Sequence, residues 1–266
     1  CGSCWHKDWT NLDFAASQNN HHVKKFNVLD KLPFDDESFD VVYHSHLLEH
    51  LARSEALGFV AETFRVLKKG GITRVVVPDL EKIARIYLEC LEKARRGDEV
   101  DRANHQWMLM ELYDQAVRRS AGGEMWRFMT KKDLVNEKFL FSRFGKEFEY
   151  ARDTVSLDDR LVDSSTNHGR LKCLLNLESC KLKLLKLFFP NEFNAMKLGR
   201  FMLSGEVHQW MYDSFSLSVL LGDCGFKEIT KKDALTSNID DWEIYELDVL
   251  NNSVRKPDSL VVEARK

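Results

Sequence analysis

The segment from Phe39 to Val77 constrains the fold of this chain more than any other part of its sequence. Phe39 to Tyr43 reads FDVVY, a run of β-branched and aromatic residues that is typical of a buried strand. Ser54 can cap a following helix, whose cationic last turn and glycine stop would be Lys68 to Gly71. Ile72 to Val77 reads ITRVVV and predicts a second strand. Strand, crossover helix and strand in about 40 residues indicate a βαβ unit with parallel strands.

The pattern predicts one α/β core that is interrupted by a helical insertion. We assign residues 1–85 and 205–266 to the core, because a helix at Ser216 to Cys224 and strands at Phe226 to Thr230 and Leu260 to Glu263 restore the α/β character. Residues 86–204 are charged and helix-like, and we expect them to form an insertion or lid. Within them, Leu171 to Phe189 is apolar with four lysines, which fits a helix packed on its neighbours or one lying on a membrane surface.

Composition narrows the class of protein. Among 266 residues, 39 Lys and Arg face 42 Asp and Glu, for a net charge of −3 and a pI near 6.3. This balance argues against a nucleic-acid binder, which normally carries a basic face. No apolar run approaches a membrane span and the first residues do not resemble a secretory signal, so we expect a cytoplasmic protein with reduced thiols. The sequence leaves the oligomeric state open.

Polar side chains follow the strands of the predicted core. Asp13 comes after a short strand at Trp9 to Leu12, Asp30 precedes a proline turn, and His44, Ser45 and His46 follow the FDVVY strand. Ligands of open parallel sheets bind at the carboxyl ends of the strands, so we expect these side chains to lie near one edge. An ionised aspartate is a pure acceptor and suits a ribose diol, which makes Asp13 the candidate for that role. A strand-end or turn aspartate is the alternative.

Several stretches of the sequence resemble a known protein family. The run LDKLPFDDESFDVVYHSHLLEHL, followed by FRVLKKGGITRVVVPDLE, resembles the central block of class I S-adenosylmethionine-dependent methyltransferases of type 11. The start, CGSCWHKDWTNLDF, resembles the tail of that family's glycine-rich cofactor loop running into its second strand. The resemblance implies a Rossmann-like, mostly parallel sheet and S-adenosylmethionine as cofactor, with S-adenosylhomocysteine as product. The family's first strand would precede Cys1, so we expect a fragment in which that strand is missing.

The resemblance also implies roles for individual residues. Gly2 and Ser3 would contact the methionine part of the cofactor, Asp13 the ribose hydroxyls and Phe14 the adenine. The loop that holds the adenine edge would be Asp30, Lys31 and Leu32. His44, Ser45 and His46 would lie between cofactor and substrate, whereas Glu49 and His50 match a Leu-Glu-His turn of mainly structural importance.

The implied reaction is in-line displacement, in which a small-molecule or glycan acceptor attacks the sulfonium methyl group. Alignment supplies most of the acceleration in such a step, and a hydroxyl acceptor also needs a base. Histidine is the natural base near neutral pH. We assign this role first to His46 and second to His208; a hydrogen-bonded structural histidine is the alternative for each.

Other interpretations stay open. His46 to His50 also fits the H-x-x-E-H pattern of inverted zinc metalloproteases, and carboxylates and imidazoles near this loop would suit a metal-assisted methyltransferase. A methyltransferase-like fold with an incomplete cofactor site would be a non-catalytic binding module. Cys1 and Cys4 are spaced like a redox pair, but we interpret them as incidental thiols. Our favoured interpretation, the methyltransferase, assigns no metal ligand.

Overall fold

The computed structural model describes residues 4–14, 21–161, 182 and 185–266. The strands are β1 (Asn11–Asp13), β2 (Val23–Lys25), β3 (Phe39–Ser45), β4 (Leu67–Pro78), β5 (Lys227–Lys232), β6 (Val249–Leu250), β7 (Ser253–Val254) and β8 (Ser259–Arg265). The helices are α1 (Arg53–Val66), α2 (Leu80–Ala94), α3 (Glu99–Val117), α4 (Gly123–Met129), α5 (Glu137–Phe144), α6 (Lys146–Leu161), α7 (Pro190–Met202) and α8 (Ser214–Asp223). Short 3-10 turns lie at Leu48–His50 and Trp242–Tyr245.

The central sheet has the strand order β3-β4-β8-β5. β3 and β4 pair in parallel, whereas β8 runs antiparallel to both β4 and β5. Three of the four strands therefore point in one direction, which confirms the predicted α/β class with a mostly parallel sheet. β1 and β2 form a separate parallel pair. Within the described residues, no strand pairs with the outer edge of β3.

The βαβ unit is present, but its helix ends earlier than predicted. α1 stops at Val66, and the residues from Lys68 to Gly71, which we expected to terminate the helix, begin β4 instead. Leu67 is fully buried and pairs with Phe39, so burying this leucine in the sheet outweighs the local signal for another helical turn. The register shifts between Phe39 and Val41, which accommodates Gly70 in the left-handed region at φ 78°.

The start of α1 also differs from the prediction. Ala52, not Ser54, occupies the N-cap position, and Glu55 accepts a hydrogen bond from the Ala52 backbone N–H at 2.9 Å. This is one half of a capping box, in which the glutamate satisfies a donor outside the helix.

The strands and helix predicted after the insertion are all present within a few residues of their expected bounds. α8 begins at Ser214 because Asp213 caps it, accepting from the Ser216 backbone N–H at 2.7 Å. The strand expected at Trp9 to Leu12 lies at Asn11–Asp13, so Asp13 is its last residue. β2 was not predicted, because two of its three residues are exposed lysines.

The described part of the molecule has three hydrophobic clusters, of which two are large and the third, around Trp242, is small. One large cluster packs α1 and α8 on the sheet and includes Val60, Val75, Leu217 and Leu260. The other large cluster joins helices α2 to α6 around Trp107. The Leu171 to Phe189 helix predicted from sequence lies mostly outside the described residues. In the part of the chain that is described, no helix has the length and apolar character needed to cross a membrane.

A buried charge network fixes the sheet to the segment that follows β5. The Arg74 side chain on β4 is fully buried and donates to Asp248 Oδ2 and to Glu263 Oε1, both at 2.7 Å. It also donates to the backbone carbonyls of Asp233 and Thr236. A buried guanidinium is tolerated only when its donors are matched, so this network specifies where the 233–248 segment lies.

We expect Arg74→Ala to lower the free energy of unfolding by about 3–5 kcal/mol, because it leaves two carboxylates buried without their cation. Urea denaturation measures this change. The control is Arg85→Ala, which removes an exposed ion pair with Glu81 and should cost no more than about 0.5 kcal/mol. Equal losses in the two variants would contradict the structural role of the network.

Candidate functional site

A cavity of about 460 Å³ lies between β1 and the unpaired edge of β3. Its volume is within the usual range for small-molecule sites, roughly 300–1,000 Å³. The apolar part of the wall comes from the two strands and from α1, through residues that include Leu12, Val42 and Phe59. Its polar part comes from strand ends and from the loop before β8. The cavity therefore has an apolar body with few polar groups, as ligand pockets do.

The cavity brings together six of the residues predicted from sequence, and other predicted residues lie elsewhere. The wall includes Asp13, Phe14, Leu32, His44, Ser45 and His46. Asp30 and Lys31 are exposed and do not line it, because the chain turns outward before Leu32, which is buried. His208 is buried outside the wall. Gly2 and Ser3 lie outside the described residues, so their predicted roles stay predictions.

His44 contributes a neutral ring to this wall. The side chain is buried, and its two ring nitrogens have no hydrogen-bond partner among the residues that the structure describes. Its ring packs edge-on against Phe59 at 5.1 Å between centroids. Burial lowers the pKa of His44 to about 4, since the charged form loses its hydration. At neutral pH the ring therefore carries a donor and an acceptor that a polar ligand can use.

His46 links the cavity to the interior behind it. The residue adopts the left-handed region at φ 49°. Its Nε2 lies 2.9 Å from Ser259 Oγ, and its Nδ1 lies 3.1 Å from Glu49 Oε1, although this second contact lacks hydrogen-bond alignment. Burial, and secondarily the charge of Lys256, lower the pKa of His46 to about 3. The ring thus connects a cavity-lining hydroxyl to a buried carboxylate.

The sequence analysis missed four charged residues of the cavity wall, which are Glu147, Asp248, Arg255 and Lys256. Lys256 and Glu147 line the wall and form an ion pair at 2.7 Å, and the nearby Asp258 is buried. Although partial desolvation acts to raise it, the pKa of Glu147 is held below its ordinary value by the Lys256 charge and hydrogen bond. Burial raises the pKa of Asp258 to about 6. The loop before β8 and the start of α6 meet only in the fold, so no local signal could identify these residues.

Behind His46 lies a second polar group that includes His208. Ligand atoms of Glu49, His50 and His208 all lie within 4.8 Å of one another. His46 is not part of this group, and Leu48–His50 is a 3-10 turn rather than an α-helix. The H-x-x-E-H interpretation needs His46 and His50 as paired ligands on one helix face. The described residues do not form this arrangement.

Three aromatic residues in the insertion or just after it pack against other side chains. Trp107 and Phe128 are buried in the helical cluster, with ring centroids 5.8 Å apart. Trp210 is half-exposed and packs against the Arg53 guanidinium at 5.1 Å. None of these three side chains lines the cavity.

Comparison with known proteins shows what the cavity-forming segment is similar to. Residues 9–75 match the family described as "Methyltransferase domain". This stretch includes β1, β3, α1 and most of the cavity wall. This segment is therefore similar to methyltransferase domains.

The individual relatives share only part of this chain or a loose similarity. An uncharacterized protein of Haemophilus influenzae (strain ATCC 51907 / DSM 11121 / KW20 / Rd) is 33% identical over 91 residues, which are 34% of this chain and 35% of that protein. The chain thus spans about a third of that relative's length. A solved SAM-dependent methyltransferase from Archaeoglobus fulgidus aligns with a TM-score of 0.36 at 11% identity, covering 96% of this chain and 74% of that one.

We expect Asp258 to give a distinct pH dependence of stability. Its pKa is raised from 3.8 to about 6 in the folded protein, so the folded state binds more protons than the unfolded state between these values. Its contribution to the free energy of unfolding therefore falls as pH rises through this window. The free energy of wild type minus that of Asp258→Asn should decrease from pH 4 to pH 6, as measured by urea denaturation at constant ionic strength.

Asp233→Asn serves as the control. Hydrogen bonds from Thr236 and Leu235 lower the pKa of Asp233, so its effect on stability should change only below about pH 4, where it is lost on acidification. A difference for Asp258→Asn that is flat between pH 4 and pH 6 would show that this carboxyl group is not perturbed as described.

Proposed function

We propose that this protein transfers the methyl group of S-adenosylmethionine to a small-molecule or glycan acceptor. The observation that carries the proposal is the coincidence of the cavity with residues 9–75, the stretch that matches methyltransferase domains. The net charge of −3 gives no support for a nucleic-acid acceptor, because phosphate backbones are bound through basic surfaces.

The cavity residues fit the cofactor chemically. Asp13 at the end of β1 offers carboxylate oxygens for the ribose hydroxyls, and Phe14 and Leu32 offer apolar surface for the adenine. The ring nitrogens of His44 have no hydrogen-bond partner among the described residues. They supply further polar groups for the cofactor. Bound there, S-adenosylmethionine would supply an electrophilic methyl group for in-line displacement by the acceptor.

The chain's own residues orient the reactants and manage the proton. Ser259 Oγ lines the cavity and lies 2.9 Å from His46 Nε2, so His46 fixes the hydroxyl that an incoming acceptor would meet. For a hydroxyl acceptor, we assign His46 as the group that takes up the proton, either directly or through Ser259. Its pKa of about 3 keeps the ring unprotonated at neutral pH but makes it a weak base, so this role requires the bound reactants to raise that pKa. His208 does not line the cavity. It therefore has no role as a base in this proposal.

We expect S-adenosylhomocysteine to raise the melting temperature by roughly 5–10 °C at about 100 times its Kd, because a ligand that binds only the folded state stabilises it. Asp13→Ala should weaken this binding by about tenfold or more, since it removes charge-assisted hydrogen bonds. Thermal denaturation and isothermal titration calorimetry measure both effects. Asp8→Ala, an exposed position outside the cavity wall, should bind like wild type.

The outcomes separate the candidate functions. Binding together with transfer of labelled methyl groups to an acceptor supports the methyltransferase. Binding without transfer to any acceptor in a panel of small metabolites and glycans would instead support a non-catalytic module. If the protein does not bind S-adenosylhomocysteine, the proposal fails.

A further inference from the structure

Glu49, His50 and His208 form a compact set of metal-type ligands that the proposed methyl transfer does not use. One ligand atom from each residue lies within 4.8 Å of the others. Glu49 and His208 are almost completely buried, and none of the three residues lines the cavity. The set lies on two segments far apart in sequence, the 48–50 turn and the residues that precede α8.

The donor atoms of this set have no partners within the described part of the protein. Neither carboxylate oxygen of Glu49 makes a hydrogen bond, and the same holds for Nδ1 of His50 and Nδ1 of His208. Buried polar atoms are almost always satisfied, because an unsatisfied one costs about 1–3 kcal/mol and a charged one costs more. Four such atoms occur on three residues whose ligand atoms lie within 4.8 Å of one another, and the 3.1 Å approach of His46 Nδ1 to Glu49 Oε1 is not aligned as a hydrogen bond. This arrangement points to a shared partner that neutralises the carboxylate and accepts lone pairs from the imidazoles.

The backbone holds these side chains in place. The Glu49 carbonyl accepts hydrogen bonds from the backbone N–H groups of Gln209 and Trp210, at 2.7 and 3.2 Å. The His208 N–H donates to the Gln115 carbonyl at 3.0 Å, and the His50 ring packs edge-on against the His208 ring at 4.7 Å between centroids. The two segments are therefore brought together by main-chain bonds, and the three ligands are held close before any ion binds.

The ligand types favour a divalent transition metal over calcium or magnesium. Two imidazoles and one carboxylate are the donors of many zinc sites, whereas hard cations prefer oxygen ligands alone. Zinc distances of about 2.0–2.2 Å place the ligand atoms of one ion closer together than the 4.8 Å limit met here, so binding would draw the three side chains together. The Val207 carbonyl also contacts the His50 ring through a hydrogen bond, the kind of outer contact that orients metal-binding histidines.

We propose that Glu49, His50 and His208 bind one Zn²⁺ ion, which fastens the segment at residues 207–210 to the turn at Leu48–His50. Three protein ligands leave a fourth position for water. The Tyr212 hydroxyl lies near the Glu49 charge and is another buried polar group without a hydrogen-bond partner in the described part of the chain. The ligands of this site are separate from the cavity wall, so metal binding can be measured without the proposed methyl transfer.

The test is metal binding to the purified protein, measured with Zn²⁺ by calorimetry and by elemental analysis after dialysis, and with Co²⁺ by visible absorption. We expect about one ion per chain and a raised melting temperature. Glu49→Gln, His50→Ala and His208→Ala should each weaken binding by about tenfold or more. Co²⁺ should show the imidazole and oxygen spectrum without a thiolate charge-transfer band, which excludes Cys1 and Cys4 as the ligands.

His105→Ala is the matched control. His105 also has a ring nitrogen without a partner, but its ring packs against Tyr87 in the helical cluster, so this variant should keep the metal. Circular dichroism verifies that each variant is folded. Wild-type protein that binds neither Zn²⁺ nor Co²⁺ would overturn the proposal and indicate that Glu49 is neutralised by a proton. Binding that survives all three ligand substitutions would overturn it as well.

Discussion

The buried guanidinium of Arg74 is the interaction on which the rest of the α/β part depends. Arg74 lies on β4, the strand that pairs with both β3 and β8, and its two carboxylate partners come from β8 and from residues just before β6. Asp248 also accepts a hydrogen bond from Tyr43 on β3 at 2.6 Å. Tyr43 and Asp248 are both part of the cavity wall. One cation therefore aligns the sheet and one side of the candidate cofactor site, because a mispaired buried charge is too costly to tolerate.

The sequence predicted this architecture where the signals are local. The strand at FDVVY, the helix predicted after Ser54 and the strand at ITRVVV depend on short-range patterns, and all three form, although the helix begins slightly earlier. The end of α1 could not be predicted, because the burial of Leu67 against Phe39 is a tertiary contact that overrides helix propensity. The same limitation explains β2, whose only buried residue is Val23.

The residues of the candidate site were likewise predictable only in part from the sequence. Asp13, His44 and His46 were identified because strand ends carry ligand groups, and all three line the cavity. Lys256 and Glu147 were missed because their ion pair joins residues more than 100 positions apart. The partnership of His208 with Glu49 and His50 was missed for the same reason. His208 did attract notice as a histidine near the return to the core, but its sequence context gave no indication of its neighbours.

His46 joins the two chemical environments of this protein. Through Nε2 it contacts Ser259 at the cavity, and through Nδ1 it lies next to Glu49 in the buried ligand set. A positive ion bound to Glu49 would offset the negative charge of this carboxylate. The carboxylate would then stabilise a protonated His46 less. Metal binding and proton uptake at the cavity are thus opposed through one side chain. The two proposals are structurally separate in their ligands, yet they meet at the His46 ring.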